Sequence, residues 1–342
     1  MTSRYTSFEA TAAVYTADTF TFTGNKHDID VVTENLDPDR GNIYPVTSKG
    51  RTPRRKLKGP LKWDGSIETL LYTKHAPSLL YYAMGANRTL PNLGPSAIQT
   101  GCFQHEVTSA FTIPDFIMET GRDFGCMRYT GCAATGFSVD FAPDAAIALT
   151  VNINGRKEQA QTTVANVTFP DYDLAERAYS GVEIVAKNAG AEGTVASISI
   201  VEGANFTYEN NFEDSAYTLS SQYLPGLFIN QVNLTGSFDI SVLDFNQYTA
   251  VTADTEQAWT FLADNGSTLT NARGYLFAFP RLSYDKTNLP TTNAERYVQS
   301  IDWTANPNVA NWVPSYGTDS IAAGNSMAVR IYNAQTAAEF TA

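Results

Sequence analysis

The stretch Leu234 to Leu243, LTGSFDISVL, alternates apolar and polar residues along most of its length. Successive side chains of an extended strand point to opposite faces, so Phe238, Ile240 and Val242 would share one face. The polar residues between them would form a second face in contact with water. The stretch therefore predicts a half-buried β-strand with one wet face.

Similar short runs recur along the chain of 342 residues, which contains 18 Tyr and 19 Phe and is rich in Thr. These residue types favour pleated, half-buried surfaces, so the predicted fold class is all-β. The predicted strands are Thr19 to Thr23, Phe111 to Ile113, Gly136 to Phe141, Ala148 to Ile153, Val182 to Ala186, Ala196 to Val201, Leu234 to Leu243, Tyr275 to Phe279, Val298 to Trp303 and Met327 to Tyr332.

Two segments predict short helices instead. Ala76 to Met84 is followed by Gly85, a residue that commonly ends helices. Asp254 to Ala263 carries acidic residues in its first turn, where the helix dipole favours negative charge, and is closed by Asn265 and Gly266. We expect each half of the chain to contain one of these helices.

The order of the predicted elements repeats along the chain. The first copy reads Gly65-Ser66-Ile67, a helix ending at Gly85, Ile113-Pro114 and Phe137 to Phe141; the second reads Gly236-Ser237-Phe238, a helix ending at Gly266, Phe279-Pro280 and Ser300 to Trp303. The glycine-to-proline spacing is longer in the first copy, which predicts an insertion in a surface loop. Chance similarity between two β-rich halves is the alternative.

The repeat predicts tandem β-domains. We expect a first β-domain over residues 1–165, which includes a basic loop at 45–62, a connecting region over 166–194, and a second β-domain over 195–342. Each domain would carry one short flanking α-helix.

Charge is distributed unevenly. The formal net charge is −12, yet the segment 49–62 contains no acid and seven basic residues, Lys49, Arg51, Arg54, Arg55, Lys56, Lys58 and Lys62. The rest of the chain is therefore still more acidic, which disfavours a protein that grips nucleic acid through its bulk surface. Prolines and glycines around the basic residues predict a loop or an extended hairpin.

Motifs for chemistry are missing from the sequence. It contains no Gly-x-Ser-x-Gly elbow, phosphate loop or HExxH helix, so no catalytic residue and no cofactor is predicted. His105 with Cys102, Cys126 and Cys132 lacks the paired C-x-x-C spacing of zinc sites, and no metal site is predicted. The acidic pairs Asp37 with Asp39 and Asp171 with Asp173 are expected in solvated turns.

Localisation is predicted from what the sequence lacks. It has three cysteines, no apolar run long enough for a membrane span and no signal-peptide pattern at its N-terminus. We expect a soluble protein that assembles in a reducing cytoplasm and has no membrane partner.

Taken in order, several segments resemble the tail tube proteins of long-tailed viruses of bacteria and archaea. They are GPLKWDGSIETLL, APSLLYYAMG, FTIPDFIMETG, YTGCAATGFSVDFAPD, LTGSFDISVL and FAFPRLSYD, which together cover roughly residues 55–303. The resemblance implies a β-sandwich with a flanking helix whose long strands join those of neighbouring subunits in a β-barrel around a lumen. Rings of subunits then stack into a tube.

This resemblance sets the functional expectation of a major tail tube subunit, a structural virion protein of a long non-contractile tail that conducts DNA during genome ejection. Its partners would be copies of itself, other tail proteins at the tube ends, and DNA in transient, non-specific passage. A duplicated chain favours a trimeric ring with pseudo-sixfold symmetry, and a single elaborated domain favours a hexamer.

In similar tube proteins the loop that corresponds to the basic segment reaches the next ring. A positive arm against an acidic surface would give favourable contacts, whereas a solvated loop or a nucleic-acid contact are the alternatives. Two other functions compete with the tube: a β-sandwich adhesin that binds glycans, and a polysaccharide hydrolase with a carboxylate pair in a cleft.

Overall fold

The computed structural model describes residues 9–14, 27–45, 56–73, 76–90, 103–122, 125–161, 179–194, 196–198, 201–213, 223, 228–242, 246–264, 273–288, 297–314 and 319–333. Within these ranges the chain is all-β apart from two short α-helices and one 3-10 turn, which confirms the predicted fold class. The predicted strand Thr19 to Thr23 lies outside the described residues.

The elements of the first half are β1 Glu9–Val14, β2 His27–Glu34, β3 Asp37–Arg40, β4 Leu61–Leu70, α1 Ala76–Met84, β5 Gly85–Leu90, β6 Phe103–Ser109, β7 Phe116–Arg122, β8 Gly125–Phe141, β9 Ala148–Gly155 and β10 Lys157–Gln161. Those of the second half are the 3-10 turn Gly181–Glu183, β11 Ile184–Gly190, β12 Ala196–Ile198, β13 Val201–Glu209, β14 Phe212–Glu213, β15 Phe228–Ile229, β16 Asn233–Ser241, α2 Asn246–Thr252, β17 Gln257–Asp264, β18 Gly274–Asn288, β19 Val298–Asn306 and β20 Ala328–Asn333.

One antiparallel sheet, here called the long sheet, runs through both halves of the chain. Its order is β2 and β3 along one edge, then β4, β9, β8, β13, β16, β19 and β18. The C-terminal parts of β8 and β18 pair with β9 and β19 in this sheet. The pairing of β8 with β13 joins the first half of the chain to the second.

The N-terminal parts of β8 and β18 belong to a second layer. That of β8 lies in the order β2–β1–β7–β8–β10, and that of β18 lies in the order β12–β11–β17–β18–β20–β6–β5. Each of these two long strands therefore takes part in two sheets. The result is a sandwich whose layers are joined by continuous strands.

Aromatic side chains fill the space between the layers. Phe206 of the long sheet has its ring centroid 5.4 Å from that of Phe277 in β18, and Phe238 lies 4.3 Å from Trp259 in β17. These rings are almost completely buried. Burial of such large apolar surfaces is the main force that holds the two layers together.

The helix predicted at Ala76–Met84 is confirmed at both ends. Every residue of α1 except Tyr81 is buried, and the helix contacts strands of both layers. Gly85 follows with φ +92°, and a Cβ there would lie 2.5 Å from the backbone oxygen of Thr112. A glycine is therefore required at this helix end.

The second predicted helix, Asp254 to Ala263, was wrong. The helix α2 lies earlier, at Asn246–Thr252, and Gln257–Asp264 forms β17 between β11 and β18. Residues 258–263 are all buried, because both faces of β17 are covered. A strand buried on both faces loses the polar-apolar alternation that would have identified it.

The predicted strand Phe111 to Ile113 was also wrong. Strand β6 ends at Ser109 and β7 starts at Phe116, and the intervening residues form a bend. The side chain of Phe111 is fully exposed, so this apolar residue buries no strand face.

The same strand pairings occur in the two halves. The pairs β2–β4, β4–β9, β8–β9, β8–β10, β7–β8 and β1–β7 recur as β13–β16, β16–β19, β18–β19, β18–β20, β17–β18 and β11–β17. Gly65 lies opposite Ile153, and Gly236 lies opposite Trp303. In strand pairing, Ser300 to Trp303 thus corresponds to residues 150–153 of β9 and not to Phe137 to Phe141, as the sequence order suggested.

Residues predicted as a connection contribute to the second half. The 3-10 turn and β11 fall within 166–194, and β11 pairs with β17 along its whole length.

The extra residues of the first half form the hairpin β5–β6 and not a surface loop. Strand β6 of this hairpin pairs with β20 of the second half. The second half has no matching hairpin, because residues 253–256 connect α2 directly to β17. Glu106 of β6 accepts hydrogen bonds from Arg330 Nε of β20 at 2.8 Å and from Arg88 Nε of β5 at 2.6 Å. The hairpin and its buried ion pair therefore tie the two halves together.

Candidate assembly surface

One face of the long sheet is buried and the other is polar. In β16, Phe238 and Ile240 are each 1% exposed and Asp239 is exposed. The wet face predicted from LTGSFDISVL is therefore confirmed. The strands β9, β13 and β19 of the same sheet show the same alternation of buried and accessible residues.

Hydroxyl groups form a row across this polar face. Strand register aligns Thr150, Ser138, Thr207, Thr235, Thr304 and Ser283 as successive cross-strand partners, with Glu68 at the β4 end. Hydroxyls are uncharged and exchange hydrogen bonds readily with water. The row gives the middle of the face a hydrated surface without fixed charge.

The charges on the five inner strands of the sheet are acidic. The sequences of β9, β13, β16, β19 and the C-terminal part of β8 contain no Lys or Arg. Their exposed acidic residues are Asp140, Glu209, Asp239 and Asp302. Basic residues occur toward the margins, such as Lys62 on β4 and Lys286 on β18. A face of this kind repels phosphate.

Both ends of the long sheet are open within the described part of the chain. Residues 31–40 of β2 and β3 pair with β4 on one side only, and residues 284–288 of β18 pair with β19 only. Val32 on the first edge is 49% exposed, and Lys286 on the second is exposed. Open edges with unpaired backbone groups are templates for pairing with another chain.

The basic residues identified in the sequence do not all lie together. Lys56 and Lys58 are exposed, and Lys62 lies within β4 with its Nζ 3.8 Å from Asp64 Oδ1. The other four, Lys49, Arg51, Arg54 and Arg55, fall outside the described residues.

The base of the basic segment is a hairpin. Ile43 and Leu57 exchange backbone hydrogen bonds of 3.1 and 2.9 Å, which continues the ladder of β3 and β4. Ile43, Tyr44 and Leu57 are 54%, 52% and 40% exposed. Exposed apolar side chains beside the exposed Lys56 and Lys58 are typical of a contact surface.

A second hairpin occupies the matching place in the second half. Strands β14 and β15 pair between β13 and β16, with Phe212 opposite Ile229. Residues 211–232 contain Glu213 and Asp214 but no Lys or Arg. Sequence reasoning missed this counterpart, because only the strand pairing shows that the two hairpins correspond.

Other candidate residues lie apart from this surface. His105 is buried with its Nδ1 3.3 Å from Thr89 Oγ1, and burial raises the pKa of the Cys132 thiol. No group of three His, Cys, Asp or Glu side chains in the described ranges could hold a metal ion. Asp37 and Asp39 are exposed on the edge strand β3 and not in a turn, and Asp171 and Asp173 lie outside the described residues.

A sandwich whose halves repeat the same strand pairings, with a polar, acidic sheet face and two edges left open by the described residues, has the architecture of a structural assembly protein. A family model described as phage tail tube protein matches residues 6–305, and the chain belongs to this family. It is thus a structural tail tube protein and a component of the virion tail.

No curated protein matches the chain closely enough to count as a relative. Neither helix in the described ranges is long and apolar enough to cross a membrane.

Proposed function

We propose that this chain is the major tail tube subunit, which polymerises into stacked rings that conduct viral DNA into the host. The long sheet carries this proposal, because it combines a polar, acidic face with an edge at each end that no described strand covers. Closure of neighbouring sheets around a lumen would satisfy the backbone groups of both edges. Other tail proteins would contact the tube at its ends, and assembly would take place in the host cytoplasm.

The polar face would line the lumen. Its inner strands carry acidic and hydroxyl side chains and no Lys or Arg. A wall of this composition does not hold a polyanion by ion pairing, so DNA could slide past it. The opposite face cannot serve as this wall, because it is covered by the aromatic core.

Three chains would form one ring. The matching strand pairings of the two halves support a tandem duplication, in which the second unit starts at β11. Each unit gives four strand positions to the long sheet: β2 with β3, β4, β9 and β8 in the first, and β13, β16, β19 and β18 in the second. Three chains would therefore present six equivalent units around the lumen.

Stacking of the rings would use the hairpins. The basic hairpin of the first unit has an acidic counterpart in the second unit, so the two would alternate around a three-chain ring. A basic hairpin against the acidic surface of the next ring would give favourable contacts that fix the angular position of the rings. We propose a long, non-contractile tail for a tube of this kind.

Ring formation is tested by negative-stain microscopy and native mass spectrometry of the purified chain at rising concentration. The expected result is rings or tubes with a central hole and a mass of three chains per ring. A mass of six chains would refute the three-chain ring. A compact monomer at every concentration and salt would refute the tube function.

The lumen assignment is tested on assembled tubes with a short fluorescent DNA duplex. Tubes of the parent chain and of a triple variant Asp140→Asn/Asp239→Asn/Asp302→Asn should retain little DNA. Tubes of Asp140→Lys/Asp239→Lys/Asp302→Lys should bind it at low salt and release it at high salt. Equal retention by the Lys and Asn variants would show that this face does not meet the DNA.

A further inference from the structure

We infer that the contact between neighbouring chains in the ring copies the contact between the two halves of one chain. The C-terminal part of β18 in one subunit would pair with the β2–β3 edge of the next, as β8 pairs with β13 inside the chain. This inference rests on the proposed function, since it requires chains that close a ring.

The internal contact supplies the template. Strand β8 pairs antiparallel with β13, and Ser138 lies opposite Thr207 and Gly136 opposite Glu209. Beyond the end of β13, Asn210 Nδ2 donates a hydrogen bond of 3.1 Å to the backbone oxygen of Ala134.

The residues of β18 that correspond to this template are identified by a shared β-bulge. In the first half the register with β9 shifts between Ala134 and Gly136, and in the second half the register with β19 shifts between Tyr284 and Lys286. Lys286 therefore corresponds to Gly136. Two residues further along each strand, Asn288 corresponds to Ser138.

A second bulge aligns the opposite edge. The pairing of β2 with β4 shifts between Val31 and Thr33, and that of β13 with β16 shifts between Val201 and Gly203. Beyond the bulge, the register of β2 and β3 with β4 and the register of β13 with β16 both stay constant. Asp37 of β3 therefore corresponds to Thr207 of β13.

The two alignments fix the register between subunits. Lys286 of one subunit would lie opposite Asp39 of the next, and Asn288 opposite Asp37. Lys286, Asp37 and Asp39 are all exposed in the single chain. The register therefore places a cation against an acidic edge, and a shift by one residue would turn these side chains to opposite faces.

Pro38 on the open β2–β3 edge disfavours pairing with unrelated strands. The N–H groups of Asn35 and Gly41 donate to the backbone oxygens of Ser66 in β4 and of Pro60 just before it. The backbone groups of the even-numbered residues between them therefore face the open side. Pro38 is one of these, and it has no N–H to donate. Pro38 corresponds to Tyr208 of the template, so the contact between subunits would have one backbone hydrogen bond fewer than the β8–β13 contact. Edge prolines also weaken non-specific strand addition.

The register is tested by disulfide trapping with the double variant Asp39→Cys/Lys286→Cys. The expected result is that oxidation of assembled rings links chains through 39 and 286, seen as two-chain and three-chain species on a non-reducing gel. The matched control is Asp39→Cys/Thr287→Cys, in which the second cysteine points to the other face of β18. We expect at least about ten-fold less linked material from the control.

A charge exchange gives an independent readout without cysteine chemistry. Lys286→Glu should raise the concentration needed for ring formation, and the double variant Asp39→Lys/Lys286→Glu should restore it. Rings that form from the parent chain without a 39–286 disulfide in the double cysteine variant would overturn this register and leave the tube function standing. A parent chain that forms no rings would overturn the tube function itself, and this inference with it.

Discussion

The change Glu106→Gln tests whether the hairpin β5–β6 holds the two halves of the chain together. Glu106 lies between Arg88 of the same hairpin and Arg330 of β20. The side chains of Glu106 and Arg330 are 2% and 0% exposed. Replacement by Gln keeps the shape, removes the negative charge, and turns an amide N–H₂ toward guanidinium donors.

The expected loss follows from burial. Removing one partner of a buried ion pair leaves the other charge without compensation and costs about 3–5 kcal/mol. The matched control is Glu256→Gln, which breaks the pair of Glu256 Oε2 with Arg281 Nη2 at 2.6 Å. These side chains are 28% and 23% exposed, so solvent screens the pair and the expected loss is about 0–1 kcal/mol.

The free energy of unfolding is measured by urea titration of the unassembled chain, followed by tryptophan fluorescence. The variant Glu106→Gln should lower the midpoint strongly at an unchanged slope, and Glu256→Gln should leave it near that of the parent. Equal losses for the two variants, within about 0.5 kcal/mol, would show that burial does not decide the strength of these pairs.

Two further outcomes follow from the packing. A Cβ at Gly236 would lie 2.3 Å from Asn205 O and 2.4 Å from Trp303 Cζ2. Gly236→Ala should therefore lower the free energy of unfolding by more than about 1 kcal/mol in the same titration. The control Gly190→Ala, which has open space around its Cβ, should change it by no more than about 0.5 kcal/mol. Burial raises the pKa of Tyr208 from 10.0 to about 12, so the folded state binds this proton more tightly than the unfolded state. Stability from this group is complete below pH 10 and is lost as pH rises toward 12, so the urea midpoint should fall between these values, and should fall less in Tyr208→Phe. A midpoint that is constant up to pH 12 would contradict this assignment.

The sequence pattern was sufficient to predict an element where the pattern agrees with the surroundings of that element in the fold. The helix Ala76–Met84 was predicted with both ends, because Gly85 adopts the positive φ that ends it. The alternating strand around Phe238 was predicted because one face is buried and the other wet. In both places the sequence pattern and the surroundings of the element agree.

Helix signals in the sequence gave a wrong prediction where burial of the segment favours a strand. Acidic residues before Gln257 and an Asn-Gly pair after Asp264 are typical of a helix, yet β17 is a strand, since its neighbours β11 and β18 cover its sides and both its faces are buried. Helix propensity contributes fractions of a kcal/mol per residue, about 0 to 0.7, and burial of an aromatic side chain contributes more.

By itself the sequence determined the fold class, the acidic balance, the basic segment and the order of elements that resembles a tail tube protein. Only the tertiary structure decided which strands pair, that the hairpin β5–β6 crosses to the second half, and that acidic and hydroxyl side chains from both halves share one face. The physical reason is that strand pairing joins residues far apart in the chain. Which distant strand completes an edge depends on register, bulges and burial, and a linear pattern of residues carries none of these.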